Sequence, residues 1–413
     1  VRLHVHDFSG HPFQVQLSRK FAALGDDVWH SHCDQYVSGK GPMTCGPDDP
    51  PTLTIAPVHG STQFDKYHPL RRAVFEAAYA RDLWRTLAAG GLPDAVMLCN
   101  APLLTTYLLK VVLRRRGVPW IFWHQDIYSL GMRDEVARRF PRPVTRALAA
   151  LFSKMERACV RDANAVVAID EVFRDQYRAW GLETGHVTVI PNWAPLGDIR
   201  PVARDNDWSR VSRIPRDPFR ILYSGTLGRK HNPLLLVRLL HLLVDIGVDV
   251  HLTVVSEGDG VEQVRAIVRD DERVAVLPFQ PADRLAEVLS SADVLVVLLE
   301  PEASRFSIPS KVLSYLAAGR PIAGLMPEDN AAAIAIRSVG SVTARPDQDG
   351  LEQVAGWLAQ LADRPAERER LGRRSREFAE REFDLDAIAG RFLKVLRRLP
   401  AGPGAVGVGR RGR

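Results

Sequence analysis

The sequence predicts an α/β protein of two doubly wound, Rossmann-like domains, and three observations predict it. Short runs rich in Val, Ile and Leu alternate with longer stretches of helical period, the pattern of a parallel sheet covered by helices. The rhythm occurs twice, on either side of a polar, proline-containing, aperiodic stretch over residues 196–217. A length of 413 residues suits two or three domains and is too great for one small module. Hydrophobic residues at 46% and charged residues at 25% are near globular averages, which excludes disordered, collagenous and coiled-coil chains.

Along the first half the predicted strands are LHVH, DVWHSHC, AVMLC, VPWIFW, AVVAI and VTVIPN. Gly10 opens a tight turn after the first of these, before the helix FQVQLSRKFAALG. A later helix carries Val144, Leu148, Leu151, Phe152 and Met155 on one face, a stripe that reads as core. The second half has FRILYSG, VDVHLTVV, VAVLPF, ADVLVVLL, PIAGLM and VGSVTA. Between its first two strands, NPLLLVRLLHLLVDIG puts Leu235, Leu236, Leu239, Leu240, Leu243 and Val244 on one helical face. The expected organisation is a first domain over 1–195, a linker over 196–217 and a second domain over 218–382. A C-terminal helix over 383–400 is expected to return to the first domain, and the Gly- and Arg-containing tail over 401–413 to be disordered. The two domains are expected to enclose a cleft, with ligands bound outside the carboxyl ends of the strands.

The formal net charge of +6 is small for a dedicated nucleic-acid binder. It is unevenly spread, since residues 66–161 hold 17 Lys and Arg against 7 Asp and Glu, a surface suited to anionic headgroups. Eight lysines stand among 55 basic residues, so a lysine is an unusual choice in this chain. The four cysteines form no CxxC pair and read as reduced thiols. No apolar run is long enough to span a bilayer and the N-terminal VRLHVHDF lacks the build of a signal peptide, so a cytoplasmic location is expected, with peripheral contact at the inner face of the plasma membrane.

Candidate functional residues lie at strand-to-helix turns. FRILYSG runs into TLGRKHN, where Gly225 and Gly228 bracket a turn and Lys230 adds a positive charge. The pattern is neither GxGxxG nor a P-loop. In PSKVLSYLAAGRP, Pro309 suits a first helical position, Ser307 or Ser310 a cap, and Lys311 the first turn, where the helix dipole disfavours a cation unless an anion is bound nearby. Glu257, at the end of VVSEG, fits either a carboxylate bonded to a sugar or ribose hydroxyl or a solvated loop acid. In the first half, VPWIFW delivers His124 and Asp126 to a strand end, as a hydrogen-bond donor to a ligand and an acceptor from a hydroxyl. His4, His6 and His11 have no metal-ligand spacing, and no metal site is predicted.

Several of these stretches resemble glycosyltransferase family 4. MERACVRDANAVVAIDEVFRDQYRAWGLETGHVTVIPNW resembles the end of that family's N-terminal domain, and HDFSGHPFQVQLSRKFAALGDDV its first loop. RILYSGTLGRKHNPLLLVRLL resembles the donor-binding opening of its C-terminal domain, and PSKVLSYLAAGRPIAG the helix beneath the nucleotide. The resemblance implies the GT-B fold, a nucleotide-sugar donor on the C-terminal domain, an acceptor on the N-terminal domain, and a retaining, metal-independent reaction with no cofactor beyond the donor. It implies that Gly225 and Lys230 neutralise the departing diphosphate, that Ser310 and Lys311 approach it, that His124 lies near the transferred sugar, and that Gly10 is the small residue of the first loop. The family's pair of glutamates eight residues apart is missing, its places taken by Phe306 and Ser314. Thr226 stands where an arginine is usual, with Arg229 as the substitute. These departures resemble a bacterial subgroup that builds envelope polysaccharides on lipid carriers.

The expected function is therefore transfer of a sugar from a UDP or GDP sugar to a hydroxyl of an envelope, capsule or exopolysaccharide precursor, with a lipid-linked or saccharide acceptor and no nucleic acid. A sugar-nucleotide epimerase of the same fold and a non-enzymatic anionic-surface or nucleic-acid binding protein are the alternatives.

Overall fold

A computed structural model describes the chain except for residues 11, 37–42, 66–67, 138–139, 229–230, 270, 301–309 and 404–413. It divides into two compact units, Val1–Asn192 with Leu385–Arg413, and Trp193–Asp384.

The first unit runs β1 (Arg2–Asp7), α1 (Pro12–Ala23), β2 (Asp27–Cys33), β3 (Leu53–Val58), α2 (Pro69–Ala89), β4 (Ala95–Cys99), α3 (Leu103–Arg115), β5 (Trp120–His124), α4 (Tyr128–Ala137), α5 (Arg142–Asp162), β6 (Ala165–Ala168), α6 (Glu171–Ala179) and β7 (Val187–Val189). Its strands form one parallel sheet in the order β3-β2-β1-β4-β5-β6-β7. β4, β5 and β6 are buried at every residue, which is why they read as unbroken apolar runs. Strand β3 is absent from the sequence-based expectation. Its LTIAPV follows Pro50 and Pro51 and contains Pro57, and proline is tolerated here because β3 is the sheet's edge.

The second unit runs α7 (Asp207–Val211), β8 (Phe219–Ser224), α8 (Leu234–Asp245), β9 (Val250–Val255), α9 (Asp259–Ile267), β10 (Val274–Leu277), a single 3₁₀ turn (Ala282–Arg284), α10 (Leu285–Ser290), β11 (Val294–Leu298), α11 (Lys311–Ala317), β12 (Ile322–Leu325), α12 (Ala331–Ser338), β13 (Val342–Ala344), α13 (Gln348–Ala362) and α14 (Pro365–Glu382). The sheet order is β10-β9-β8-β11-β12-β13, again all parallel. Successive side chains of β8 serve opposite faces. Ile221 and Tyr223 enter a core with Leu236, Leu240, Val254 and Leu358, while Leu222 enters another with Leu295, Tyr315 and Leu316.

One boundary shifts. The stretch read as a linker, 196–217, belongs to the second unit. Ile199, Trp208 and Ile214 are buried in the Leu222 core, and Trp208 Nε1 donates to Gln280 Oε1 at 2.9 Å. Arg204 pairs with Asp293 at 3.0 Å, and buried Arg220 with Asp205 at 2.7 Å. Widely spaced anchors and charge pairs hold this stretch without periodicity, so hydrophobic patterning does not reveal it. The last helix, α15 (Leu385–Leu396), returns to the first unit. There Phe392 is fully buried, its ring 5.0 Å from that of Trp123, and Lys20 pairs with Asp386 at 2.5 Å. Most of the tail expected to be disordered lies outside the described residues.

Candidate functional site

In each sheet the strand order reverses beside the first strand, between β1 and β4 and between β8 and β11. Such a switch point leaves a crevice at the carboxyl ends, because the outgoing connections leave in opposite directions.

At the second switch point β8 ends in Ser224 and the chain turns through Gly225. Gly225 has φ +136, a conformation L side chains rarely adopt. Its N–H donates to Val255 O at 3.0 Å and its carbonyl accepts from Ser256 Oγ at 2.7 Å. Tyr315 of α11 clamps the preceding residue, accepting from Ser224 N at 2.8 Å and donating to Ser224 O at 2.9 Å. Farther along, the N–H of Leu227 donates to the carbonyl of Glu257, and the turn carrying Gly258 packs so closely that a Cβ there would stand 3.0 Å from Leu227 O.

Lys311, the first residue of α11, reaches back over this turn. Its Nζ donates to the Tyr223 hydroxyl and lies 4.0 Å from the centre of the Tyr223 ring. A Cβ on Gly225 would stand 2.9 Å from Lys311 Cε and 3.0 Å from Nζ, so the glycine is what lets the amine cross. Burial pushes the Lys311 amine down from 10.5 to about 7, with no charged neighbour contributing among the described residues. Among the described residues no carboxylate pairs with it. A half-buried amine without such a partner is costly, and cost concentrated in a crevice marks a functional candidate.

The other sequence-predicted residues of this unit are placed less uniformly. Ser314 is half-buried, one helical turn beyond Lys311 on the same side of α11. Ser310 precedes α11 but is exposed, sits in αR conformation and makes no capping bond, so the capping role expected of it is corrected. The side chain of Glu257 is exposed, and its carbonyl serves the Leu227 turn. Arg229, Lys230, Phe306, Ser307 and Pro309 lie outside the described residues.

At the first switch point Gly10 has φ +64 and its N–H donates to Asp7 O at 3.2 Å. Asp7, fully buried at the end of β1, accepts from Ser9 Oγ at 3.0 Å and from Asn100 Nδ2 at 3.1 Å. Asn100 follows β4 with φ +51, left-handed backbone in a residue other than glycine. Asp7 and Asn100 belong to no sequence motif, and their signal is that each is the polar residue ending or following an apolar strand.

His124 is corrected in its setting. It ends β5 as expected but is wholly buried, with Nε2 donating to Glu156 Oε1 at 3.0 Å and Nδ1 accepting from the Tyr177 hydroxyl at 2.6 Å. Glu156 also accepts from the N–H groups of Tyr128 at 2.7 Å and Ser129 at 3.0 Å, tying α5 to the start of α4. Gln125 exchanges two bonds with Asn192, at 3.0 and 2.9 Å. The imidazole therefore braces the loop after β5, and Asp126 is the exposed residue which that loop presents. The stripe on α5 is corrected as well, because Val144 and Leu151 are exposed and only its C-terminal half, from Met155, is core.

His4 and His30 are fully buried, and burial pushes both down to about 3. They are neutral, with His4 Nε2 and His6 Nδ1 each 2.8 Å from Ser31 Oγ and His30 Nδ1 2.8 Å from Ser18 Oγ.

Residues 10–193 match the family model described as a glycosyl transferase 4-like domain, and residues 218–360 the one described as glycosyl transferases group 1. A putative colanic acid biosynthesis glycosyl transferase, WcaI of Escherichia coli, is 21% identical over 255 residues, 60% of this chain and 61% of that one. The chain spans between about a third and three fifths of the length of the curated relatives it matches. Among solved structures, sucrose-phosphate synthase of Thermosynechococcus elongatus has a TM-score of 0.74 at 17% identity, covering 96% of this chain and 98% of that one. HepE of Anabaena, solved with UDP and glucose, has a TM-score of 0.69 at 12% identity, covering 96% of this chain and all of that one. With both of its units matched, the chain belongs to the family 4 glycosyltransferases and has their GT-B fold of two Rossmann-like units.

Proposed function

We propose that this chain transfers a sugar, with retention of anomeric configuration and without a metal, from a UDP or GDP sugar to a hydroxyl of a lipid-linked envelope, capsule or exopolysaccharide precursor. The observation that carries the reading is Lys311, a half-buried amine with no described carboxylate partner, lying across Gly225 at the second unit's switch point. The donor's anomeric carbon–oxygen bond breaks with its electrons passing to the diphosphate, and the acceptor oxygen forms the new bond as its proton passes to a diphosphate oxygen. The barrier falls where positive groups already face the charge that develops on the leaving group. Lys311 is such a group, and Lys230 and Arg229 are proposed to join it. Ser314 is proposed for a ribose hydroxyl and Glu257 for a sugar hydroxyl, Ser310 for its backbone approach to the diphosphate and Gly10 for close approach of the first loop. Asp126 accepts from the acceptor hydroxyl, and His124 sets the loop that carries it. HepE was solved with UDP and glucose, which favours a UDP sugar, and WcaI is described by colanic acid synthesis, which favours a polysaccharide product.

A cytoplasmic location with peripheral contact at an anionic bilayer is part of the proposal. Among the described residues no helix is long and apolar enough to cross a membrane. Leu70, Val74, Arg81 and Arg85 recur at helical spacing along one exposed side of α2, mixing apolar and basic groups as an interfacial helix does.

The test is thermal denaturation of the full chain with UDP, GDP and their sugars, with mass spectrometry of products formed with and without a saccharide acceptor. Stabilisation by one nucleotide pair and a glycosylated acceptor are expected. A changed sugar nucleotide without acceptor supports an epimerase. Indifference to every nucleotide, with salt-sensitive RNA binding, supports the binding protein.

A further inference from the structure

We propose that Tyr223 is the positioning residue for this site, holding the Lys311 amine in its donating place while never touching the donor itself. The inference rests on the donor-site reading above. Tyr223 is fully buried in β8, and its hydroxyl spends its one proton on Thr226 O at 3.0 Å, within the turn that follows Gly225. Its oxygen lone pair is thereby directed to Lys311, whose Nζ donates to it while sitting over the ring. One phenol therefore links the amine to the backbone of the turn. Burial pushes the phenol up, so it stays a neutral donor and cannot serve as the amine's counter-ion.

Among the described residues the groups around the amine are few. From β8 there is Tyr223; on α11 itself Tyr315 is turned to Ser224; and His231, after the turn, has its ring 6.4 Å from that of Tyr223. The Tyr223 oxygen is thus the one acceptor of the Lys311 amine among the described residues. Removing it leaves the ring in place but takes a hydrogen bond from the charged form, so the amine loses its proton more readily.

The test is calorimetric titration of the full chain with UDP and GDP between pH 6 and 9, for wild type, Tyr223→Phe, Tyr315→Phe and Lys311→Met. Tyr223→Phe is expected to move the midpoint at which binding weakens down by about one pH unit, with about tenfold weaker binding at pH 8. Tyr315→Phe loosens the same turn without touching the amine and is expected to leave the midpoint in place, which separates positioning from mere support. Lys311→Met is expected to abolish the pH dependence above pH 7, where the nucleotide's phosphates are already ionised. If wild type binds a nucleotide and Tyr223→Phe keeps its midpoint, the positioning role is overturned and the donor site stands. If wild type binds neither nucleotide, the donor-site reading falls and this inference with it.

Discussion

Binding of a nucleoside diphosphate at Lys311 is expected to draw a proton from solution. In the empty protein burial holds the amine at about 7 against an ordinary 10.5. The native state therefore binds fewer protons than the unfolded chain between those values, so folding stability rises as pH climbs from 7 towards 10.5. Below pH 7 the full cost of a half-buried cation remains, on the order of 5 kcal/mol for the whole shift. A diphosphate supplies the missing counter-charge and lifts the amine's pKa back towards its ordinary value. At pH 8 about nine-tenths of the empty protein carries a neutral Lys311, so binding should take up about 0.9 proton per site, falling to about 0.1 at pH 6. Affinity should weaken by up to about tenfold per pH unit above 7. Titrating UDP at pH 8 in Tris and in HEPES, whose ionisation enthalpies differ, reads the proton number directly, because the nucleotide's phosphates are already ionised there. Lys311→Met should bring the number to zero. Binding by wild type without proton uptake, or the same uptake in Lys311→Met, would refute the reasoning.

Gly225→Ala forces a side chain onto φ +136 and against Lys311, so a stability loss of about 1–3 kcal/mol and at least about tenfold weaker UDP binding are expected. Gly228→Ala, which meets nothing nearer than 3.9 Å, should bind UDP normally, and equal effects from the two would count against the strain argument. His4 and His30, held at about 3 by burial, take protons in the unfolded chain as pH falls below 6.5 but not in the native state. Each should then remove up to about 1.4 kcal/mol of stability per pH unit between pH 6 and 4, and denaturant midpoints that stay flat over that range would dispose of the claim. Phe392→Ala empties the place where α15 meets Trp123, with a loss of about 3–5 kcal/mol by denaturation and faster proteolysis of the C-terminal helix; unchanged stability would mean that α15 adds little to the first unit.

Most strands were legible because each is a run of four or more apolar residues buried on both faces, as in AVMLC and AVVA. What escaped lacked that signature. β3 is interrupted by Pro57, and the segment before β8 relies on single anchors such as Trp208 and on the pairing of Arg220 with Asp205. Around the site, Gly225 and Lys311 could be marked from their places at strand ends and from the scarcity of lysine. The tyrosines could not, because Tyr223 and Tyr315 look like ordinary apolar-core residues until the turn between them is seen. His124 was found by position and misjudged in environment. Its partners Glu156 and Tyr177 lie 32 and 53 residues away, beyond the reach of local spacing.

The two sheets share one plan, and the chemistry at their switch points differs in sign. In the first, buried Asp7 and the amide of Asn100 meet where β1 and β4 diverge, with Asp126 exposed at the end of the neighbouring strand. Acceptors and a carboxylate repel a diphosphate and suit neutral hydroxyls. In the second, the place equivalent to Asp7 is Ser224, its polar backbone consumed by Tyr315, and the charge comes from Lys311 across Gly225. That arrangement is costly while empty and becomes favourable when an anion arrives, the reverse of the first. Topology gave the chain two equivalent switch points, and a half-buried amine at one against a buried carboxylate at the other gives them opposite electrostatic character.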